Sequence, residues 1–322
     1  MTTLRLGSRG SQLALFQARL VAQRILDAGG PSSEIIIIKT SGDQLQDRPL
    51  SEIGGKRLFV KEIEDALLRS EIDVAVHSSK DMPAELPAGL AVAGVLPRED
   101  PADAIVLPAG KSPEKGSGAF FSGSWQKKAP DPFSVRVGTG SVRRIAQLVR
   151  LLPGARFENI RGNLDTRLRK LDGGDYDALV LAAAGLRRLG FESRISMRLP
   201  LEDCIPAPGQ GIIAIETRAD DRSAAAAVAR VNDADALSAL EAERSLVMAL
   251  GGGCQMPIGG VALLSGPSDL ELHAVVASLD GSRTIRYKKV GPRGDAAGLG
   301  RQVAEHLLRS GAEDILNEAR KL

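Results

Sequence analysis

The stretch KEIEDALLRSEIDVAVHSSKDMP, residues 61–83, places a helix, a strand and a polar turn in direct succession. Apolar residues recur at helical spacing over residues 61–70, and the apolar run at 72–76 is typical of a buried strand. Outward from this stretch, short apolar runs alternate with helical patterns along most of the chain. Such alternation predicts an α/β fold in which helices cover the sheets.

The same patterns predict the other elements. We expect strands at residues 4–6, 35–40, 90–96, 104–107, 135–137, 157–160, 178–182 and 212–216, and helices at 11–26, 141–151, 164–171 and 186–189. Beyond residue 233 the pattern changes to an α+β region, with a helix at 236–250, strands at 261–264, 270–278 and 284–290, and a closing helix at 296–310. Residues 108–134 are rich in Gly, Ser, Pro and Lys, which indicates an exposed loop.

Length and composition limit the possible functions. A chain of 322 residues has room for two or three domains. Its 42 Lys and Arg nearly balance 40 Asp and Glu, and aromatic residues are only 3%, so a nucleic-acid partner is not indicated. The N-terminus has no apolar signal core and no apolar stretch is long enough to span a bilayer. With two cysteines and no disulfide framework, the expected location is the cytoplasm, with no membrane partner.

Cys254 lies in the loop LGGGCQMPIG, residues 250–259. Three glycines before a thiol favour a tightly turned loop that a bulky group can approach, which suits covalent chemistry. The alternative is a small buried apolar residue beside a turn, as most free cysteines are. The other cysteine, Cys204, has no ligand-like spacing from it, so the loop alone leaves both interpretations open.

Six arginines follow predicted strands in the middle of the chain, where residues of an α/β sheet converge on one crevice. Two of them follow the turn GTGS, residues 138–141, at a predicted helix N-terminus that favours anions. Guanidinium groups bind carboxylates in a bidentate manner, so the group predicts a polycarboxylate or phosphate ligand; the alternative is solvated helix surface. They are Arg143, Arg144, Arg161, Arg167, Arg187 and Arg188.

The stretch HSSKDMP, residues 77–83, brings Lys80 and Asp81 to a predicted strand end. Asp81 is a candidate general acid/base or cation stabiliser, with a turn-capping Asp as the alternative. His77 alone is expected to be a hydrogen-bonded structural histidine. Three scattered histidines give no metal-site spacing, so no metal is expected.

Eight stretches, in order and covering most of the chain, resemble the porphobilinogen deaminase (hydroxymethylbilane synthase) family. Asp81, Arg143, Arg144 and Cys254 are the most specific of their residues. The stretches are LGSRGSQLALFQA, GGKRLFVKEIE, DVAVHSSKDMP, GTGSVRR, RGNLDTRL, LAAAGLRRLG, PAPGQG and LGGGCQMPIG.

The resemblance implies two lobes like type II periplasmic binding proteins and a smaller α+β C-terminal domain. The first α/β lobe is expected to be discontinuous, residues 1–100 with 212–230. The second spans residues 101–211, and the α+β domain, residues 231–322, carries the cofactor cysteine.

The resemblance also implies an enzyme of tetrapyrrole (porphyrin) biosynthesis. Members of the family condense four porphobilinogen molecules head to tail into hydroxymethylbilane, with loss of ammonia at each step. They build on a dipyrromethane primer, which here is expected to be bound through a thioether to Cys254. The family expectation is a monomer.

Site residues follow from the matching motif positions. Asp81 and Lys80 are expected to be catalytic and, with Cys254, to contact the cofactor. The other expected cofactor-binding residues are Thr139, Ser141, Arg143, Arg144, Arg161, Gly162, Arg167 and Arg188. The expected substrate-binding residues are Arg9, Ser11, Gln17, Phe59 and Gln210, with Phe59 in a mobile lid at about residues 41–61.

Two other functions compete with this one. A two-lobed sensor or solute-binding protein for an anionic ligand explains the arginines but neither the loop thiol nor the carboxylate at the crevice. A transferase with Cys254 as catalytic nucleophile requires a thiolate partner nearby. The nearest histidine in sequence, His273, lies on a predicted strand.

Overall fold

A computed structural model describes residues 3–41, 60–111, 135–253 and 256–321 of the chain. These residues form two five-stranded sheets and one three-stranded sheet, each packed against helices. The predicted fold class, two α/β lobes with a smaller α+β C-terminal unit, is confirmed. In the part of the chain that is described, no helix is both long and apolar enough to cross a bilayer.

The first sheet has the strand order β2-β1-β3-β10-β4. The strands β1, β2 and β3 are parallel, and β10 runs antiparallel to both β3 and β4. Leu6 of β1, fully buried, lies opposite Ile35 and Val74 on the two neighbouring strands. The elements of this lobe are β1 (Leu4–Ser8), α1 (Gln12–Asp27), β2 (Ser33–Ile37), α2 (Lys61–Leu68), β3 (Val74–Ser78), β4 (Leu90–Val95), β10 (Ile213–Arg218) and α6 (Arg222–Ala229).

The second sheet repeats this arrangement with the order β7-β6-β8-β5-β9. Its strands β6, β7 and β8 are parallel, and β5 is antiparallel to β8 and β9. The elements are β5 (Asp103–Val106), β6 (Arg136–Gly138), α3 (Val142–Leu148), β7 (Arg156–Glu158), α4 (Leu164–Asp172), β8 (Ala178–Ala182), α5 (Ala183–Arg188) and β9 (Met197–Arg198).

The chain crosses between the two sheets twice. It leaves the first sheet after β4 and enters the second as β5, and it returns after β9 to form β10. In both sheets, the antiparallel strand beside the parallel set is therefore the first strand after a crossover. We call residues 96–102 the outgoing crossover and residues 205–212 the returning crossover. The domain boundaries proposed from the sequence stay predictions.

The C-terminal unit consists of an antiparallel sheet covered by two helices on one face. The order is β11-β12-β13, and the core between α7, α8 and the sheet is apolar. Asp233 caps α7 by accepting a hydrogen bond from the Ala236 amide at 2.7 Å. The elements are α7 (Ala234–Ala249), β11 (Ile258–Leu264), β12 (Asp269–Ala277), β13 (Thr284–Pro292), α8 (Ala296–Leu307) and α9 (Glu313–Arg320).

Several predicted boundaries were wrong by a few residues. Helix α3 ends at Leu148 because the chain turns ahead of Pro153, where a proline disfavours helical conformation upstream. The closing helix is two helices, since Gly311 adopts φ 94° between α8 and α9. Strand β9, with two residues, was missed because it has no apolar alternation.

A buried ion pair joins the C-terminal unit to both crossovers. Glu243, on the buried face of α7, accepts hydrogen bonds from Arg98 Nη1 at 2.5 Å and from the Gly209 amide at 2.5 Å. Its other contact is the Ala262 amide of β11 at 2.8 Å, while Arg98 Nε donates to the Gln210 carbonyl at 2.9 Å. One carboxylate thus accepts hydrogen bonds from the outgoing crossover, the returning crossover and β11.

We predict that Glu243→Gln lowers the free energy of unfolding by about 3–5 kcal/mol, because it leaves the Arg98 charge buried without its counter-ion. Urea unfolding followed by circular dichroism measures the loss. The matched control is Asp177→Asn, whose partner Arg136 is 39% exposed and whose loss should stay within about 1 kcal/mol. Equal losses in the two variants would contradict the prediction.

Candidate active site

The predicted site residues follow the carboxyl ends of the parallel strands of both sheets. Arg9 and Ser11 follow β1, and Lys80 and Asp81 follow β3. In the second lobe the residues follow β6, β7 and β8 in the same way. The carboxyl ends of parallel strands share one edge of a sheet, so each lobe presents its polar residues along one edge. The second-lobe set is Thr139, Ser141, Arg143, Arg144, Arg161, Gly162, Arg167 and Arg188.

Arg143 and Arg144 are buried and share one carboxylate, that of Asp103 at the start of β5. Arg143 Nη1 donates to Asp103 Oδ2 at 2.7 Å, and Arg144 donates to Oδ1 through Nε at 3.0 Å and Nη2 at 2.8 Å. Each guanidinium also holds a backbone carbonyl: Arg143 that of Ile205 at 2.7 Å, and Arg144 that of Val180 at 2.8 Å. The pair is therefore fixed by internal contacts before any ligand binds.

The charges in this cluster keep Asp103 ionised. Burial alone raises the pKa of Asp103, but the Arg143 and Arg144 cations outweigh burial and lower it well below its usual range. Cys204 is buried beside it, with Sγ 3.4 Å from Asp103 Oδ2. Burial and the Asp103 charge raise the pKa of Cys204 to about 12, so this thiol is not reactive at neutral pH.

The turn before α3 is held by hydroxyl groups that accept hydrogen bonds. Ser141 is the N-cap of α3, and its Oγ accepts from the Arg144 amide at 3.5 Å. Thr139 is buried, and its Oγ1 accepts from the Ser141 amide at 3.3 Å. Both hydroxyl oxygens accept hydrogen bonds that shape the turn, and the donation of their O–H groups to an anion stays a prediction.

Lys80 and Asp81 lie on a short 3-10 helix, Ser79–Asp81, directly after β3. The Ser79 amide donates to the Ile212 carbonyl at 3.0 Å, which ties this helix to the returning crossover. Gly209 of that crossover has φ +77° and lies so close that a Cβ there would come within 2.6 Å of Ser79 Oγ. Only glycine fits, so the crossover fixes the position of the catalytic candidates.

The ammonium group of Lys80 is disfavoured by its surroundings. Burial lowers the pKa of Lys80 to about 8, with Arg143 and Arg144 acting in the same direction and Asp81 and Asp103 opposing them. Burial likewise lowers the pKa of Arg167 to about 10, with Arg144 and Arg161 adding to it and Asp81 opposing it. The cations and the Asp81 carboxylate therefore share one electrostatic environment.

Arg161 is the clearest sign of an anion site. Its Nε and Nη2 atoms are buried and have no hydrogen-bond partner among the residues that the structure describes. Burial lowers the pKa of Arg161, since no anion compensates the desolvation. Next to it, Gly162 has φ +106° and its carbonyl accepts from Arg167 Nε at 2.8 Å. Two aligned guanidinium donors without an acceptor suit a carboxylate ligand.

Arg187 and Arg188 differ sharply in their surroundings. Arg188 Nη2 donates to the Gly211 carbonyl at 2.6 Å, and burial lowers its pKa to about 10. The side chain of Arg187 is 40% exposed and pairs with Glu99 at 3.0 Å and Glu192 at 3.5 Å. The sequence-based inclusion of Arg187 among the cleft arginines was therefore wrong, because neighbouring carboxylates hold it at the surface.

The first-lobe residues are partly structural. Ser11 caps α1, with Oγ accepting from the Ala14 amide at 3.3 Å, and Arg9 is half-buried just ahead of it. Gln17 is buried and its amide pairs with the Ser78 hydroxyl at 2.9 Å, at the end of β3. Gln210 Nε2 donates to Pro101 O at 2.7 Å and to Asp103 Oδ1 at 2.9 Å. Both glutamines are held by hydrogen bonds within the protein, and their role at the cleft stays a prediction.

A pocket lies where the two lobes meet the C-terminal unit. Its polar wall includes Lys80, Ser141 and Arg143, and Arg244 of α7 faces the same space. Gly253 and Met256, the described residues on either side of positions 254–255, also line it. Cys254 and Phe59 lie outside the described residues, as do positions 42–59 of the predicted lid and 112–134 of the predicted loop.

Sequence reasoning missed the carboxylates that hold the site together. Glu243 interrupts the apolar stripe of Ala236, Leu240 and Leu246 on α7, and such a charge signals a buried partner. Asp103 opens a strand that is otherwise apolar, which is a similar signal. Arg244 was missed as well; its Nη2 donates to the Ala84 carbonyl at 2.6 Å.

His77 has the structural role expected from the sequence. Its Nε2 lies 2.9 Å from Glu216 Oε2, inside the first sheet, and both side chains are buried. Over the described ranges, no group of three or more His, Cys, Asp or Glu side chains is arranged to hold a metal ion.

Comparison with known families gives two matches that together span most of the chain. Residues 4–250 match the family described as "Porphobilinogen deaminase, dipyromethane cofactor binding domain". Residues 237–309 match "Porphobilinogen deaminase, C-terminal domain".

Curated relatives are similar to this chain along nearly their whole length. A porphobilinogen deaminase of Syntrophobacter fumaroxidans is 45% identical, over 98% of this chain and 97% of the relative. One of Syntrophomonas wolfei is 44% identical over 100% of both chains.

Solved structures with a partial likeness include a putative methionine-binding lipoprotein of Bacillus subtilis. It is 12% identical, covers 71% of this chain and 89% of its own, and has a TM-score of 0.40. Immunogenic lipoprotein A of Vibrio vulnificus is also 12% identical, with coverages of 74% and 99% and a TM-score of 0.39. At these scores the likeness carries no conclusion, and the architecture rests on the strand order given above.

Proposed function

The chain belongs to the porphobilinogen deaminase family, and on that premise we propose how its residues carry out the family reaction. The protein is a hydroxymethylbilane synthase, a transferase of tetrapyrrole biosynthesis. It joins four porphobilinogen molecules head to tail with loss of ammonia. The observation that carries the proposal is the pocket where Lys80, Ser141 and Arg143 meet the two residues that flank the Cys254 loop position.

The cleft residues fit a dipyrromethane primer. Each pyrrole ring of such a primer carries an acetate and a propionate, so the bound group needs several cationic partners. Arg161 offers two buried N–H donors with no acceptor among the described residues, and Lys80 and Arg143 line the pocket. Arg144 and Arg161 lie close enough to Arg167 to lower its pKa, and Arg188 follows β8 in the same lobe. A carboxylate bound there relieves the cost of burying these cations.

We propose that the primer is attached to Cys254 through a thioether. The proposal is supported by Gly253 and Met256, which are close to Cys254 in sequence and line the pocket. Cys204 cannot replace it, because burial raises its pKa to about 12. When bound, the primer supplies the free α-carbon that acts as nucleophile and the first set of carboxylates for the cleft.

Asp81 acts on the substrate. Loss of ammonia from porphobilinogen requires a proton on the leaving amine and leaves a cationic methylene-pyrrole. The Asp81 carboxylate stabilises this charge at the pyrrole nitrogen and assists proton transfer. The nucleophilic α-carbon would lose one proton as the new carbon–carbon bond replaces the broken carbon–nitrogen bond. The net change at each step is the release of one ammonia.

Lys80 and the arginines orient the reactants through their carboxylates. Lys80 is next to Asp81 on the same 3-10 helix, so it binds a side chain of the ring on which Asp81 acts. Arg9 and Ser11, at the edge of the first lobe, are suited to bind the incoming substrate. We propose the cytoplasm as location and a monomer as the working form.

The proposed attachment predicts that wild-type protein purified from cells is heavier than its sequence by two linked pyrrole units, whereas Cys254→Ser has the mass of its sequence. Intact-mass spectrometry measures the difference, and peptide mapping assigns the adduct to the loop peptide rather than to the peptide containing Cys204. A wild-type mass equal to the sequence would instead favour an anion-binding module. An adduct that persists in Cys254→Ser would remove that residue from the proposal.

Asp81→Asn keeps the shape of the side chain but not its charge. We expect turnover to fall by about 100-fold or more, the usual contribution of a positioned acid/base group. The primer should remain attached in the same preparation, which intact mass verifies. Turnover within a few-fold of wild type would exclude Asp81 from the chemical step.

The pKa of Lys80 predicts a pH dependence of primer loading. The group is cationic below its pKa of about 8 and neutral above it. Apoprotein should therefore acquire the primer more slowly as the pH rises from about 7 to about 9, since the neutral amine no longer attracts carboxylates. In Lys80→Arg the cation persists, and the decline near pH 8 should be absent. Identical pH profiles in the two proteins would disprove the assignment.

A further inference from the structure

Asp103 has more partners than any other carboxylate at the site. Its Oδ2 accepts from Arg143 Nη1 and lies 3.4 Å from Cys204 Sγ. Its Oδ1 accepts from Arg144 Nε and Nη2 and from Gln210 Nε2 at 2.9 Å. The side chain is fully buried. One carboxylate therefore sets the positions of two guanidinium groups that belong to the proposed primer site.

Gln210 extends this network to both crossovers. It lies on the returning crossover, and its Nε2 donates to the Pro101 carbonyl of the outgoing crossover at 2.7 Å as well as to Asp103. Asp103 itself is the first residue after the outgoing crossover. Because the two lobes are joined through these segments, a relative movement of the lobes displaces the partners of Asp103.

The charge balance suits a ligand with carboxylates. Two guanidinium cations share one carboxylate, so the cluster retains one positive charge in a buried place. Arg143 also lines the pocket beside Lys80. If Asp103 were apolar, the two unpaired guanidinium cations would repel each other and Lys80. A second carboxylate would cancel the net positive charge of the cluster and so its attraction for the ligand.

We propose that Asp103 is a positioning residue, which orients Arg143 and Arg144 for the carboxylates of the primer and, through Gln210, ties that orientation to the two crossovers. The inference rests on the proposed function, since the primer is the ligand that the arginines meet. Asp103 does not touch the reacting atoms; it acts through the guanidinium groups.

The test measures how fast apoprotein acquires the primer. Protein made in cells that lack porphobilinogen is mixed with porphobilinogen, and the gain of mass is followed over time. Asp103→Asn should load about tenfold more slowly than wild type, since each guanidinium loses a charged acceptor. Asp177→Asn is the matched control. It weakens an Asp–Arg pair in the same lobe, but at the amino ends of the strands, whereas the site lies at their carboxyl ends.

A pH profile separates positioning from a general loss of stability. The groups acting on Lys80 are Asp81 and Asp103, which favour its ammonium form, and Arg143 and Arg144, which oppose it; Arg244 of α7 lines the same pocket. Without the Asp103 charge, the pH at which loading declines should move below the wild-type value of about 8. A variant that is merely less stable would load less at every pH without moving this midpoint.

Gln210→Met gives a second test, because it removes the hydrogen bond to Asp103 but leaves the ion pairs intact. If Asp103→Asn does not fold, this variant alone tests the positioning role of Asp103. It should slow loading by about threefold in the wild-type background. Where Asp103→Asn folds, Gln210→Met should have little further effect in it, because both changes break the same link. Wild-type loading by Gln210→Met, or an unchanged rate and midpoint in Asp103→Asn, overturns the inference. A wild type that acquires no primer overturns the proposed function itself.

Discussion

The site depends on the burial of two neighbouring guanidinium groups. Arg143 and Arg144 are almost fully buried, and desolvated cations persist only where anions and carbonyl oxygens compensate them. Asp103 supplies the anion for both arginines, while backbone carbonyls at positions 180 and 205 accept their remaining hydrogen bonds. Arg161 Nε and Nη2 have no such acceptor among the residues described, and we propose that a ligand carboxylate binds them. The positive charge of Arg143 and Arg144 is therefore mostly compensated within the protein, whereas that of Arg161 is left for the ligand.

The crossovers link this cluster of charges to the first lobe and to the C-terminal unit. Gly209 and Gln210 contact the Ser79–Asp81 helix and Asp103 respectively, so one short segment touches the candidate catalytic turn of the first lobe and the Asp103 cluster of the second. Glu243 binds the same segment from the C-terminal unit through the Gly209 amide. The helix that carries Glu243 leads directly to the glycine loop of Cys254. The positions of α7, the Ser79–Asp81 turn and the two buried arginines are thereby linked through the returning crossover.

The alternation of apolar runs was sufficient to predict the α/β layers, the change of pattern near residue 233 and most strands. Charged residues at strand ends predicted the arginine cluster and the Lys80–Asp81 turn, since strand ends converge on one edge. Asp103 and Glu243 were missed because a charge in an apolar pattern indicates a buried partner without identifying it: Glu243 meets Arg98, and Asp103 meets Arg143 and Gln210. Arg187 was assigned wrongly because its spacing is the same as that of Arg188, and only the neighbouring carboxylates Glu99 and Glu192 distinguish the two.

The central claim is that the cleft is arranged in advance for the carboxylates of a tethered oligopyrrole. A crystal structure of the primer-loaded protein tests it most directly. We expect a primer carboxylate within hydrogen-bond distance of Arg161 Nε and Nη2, with Asp103 still between Arg143 and Arg144. A primer-bound structure in which Arg161 has no anionic partner, or in which the primer does not contact the arginines of the second lobe, would contradict the account.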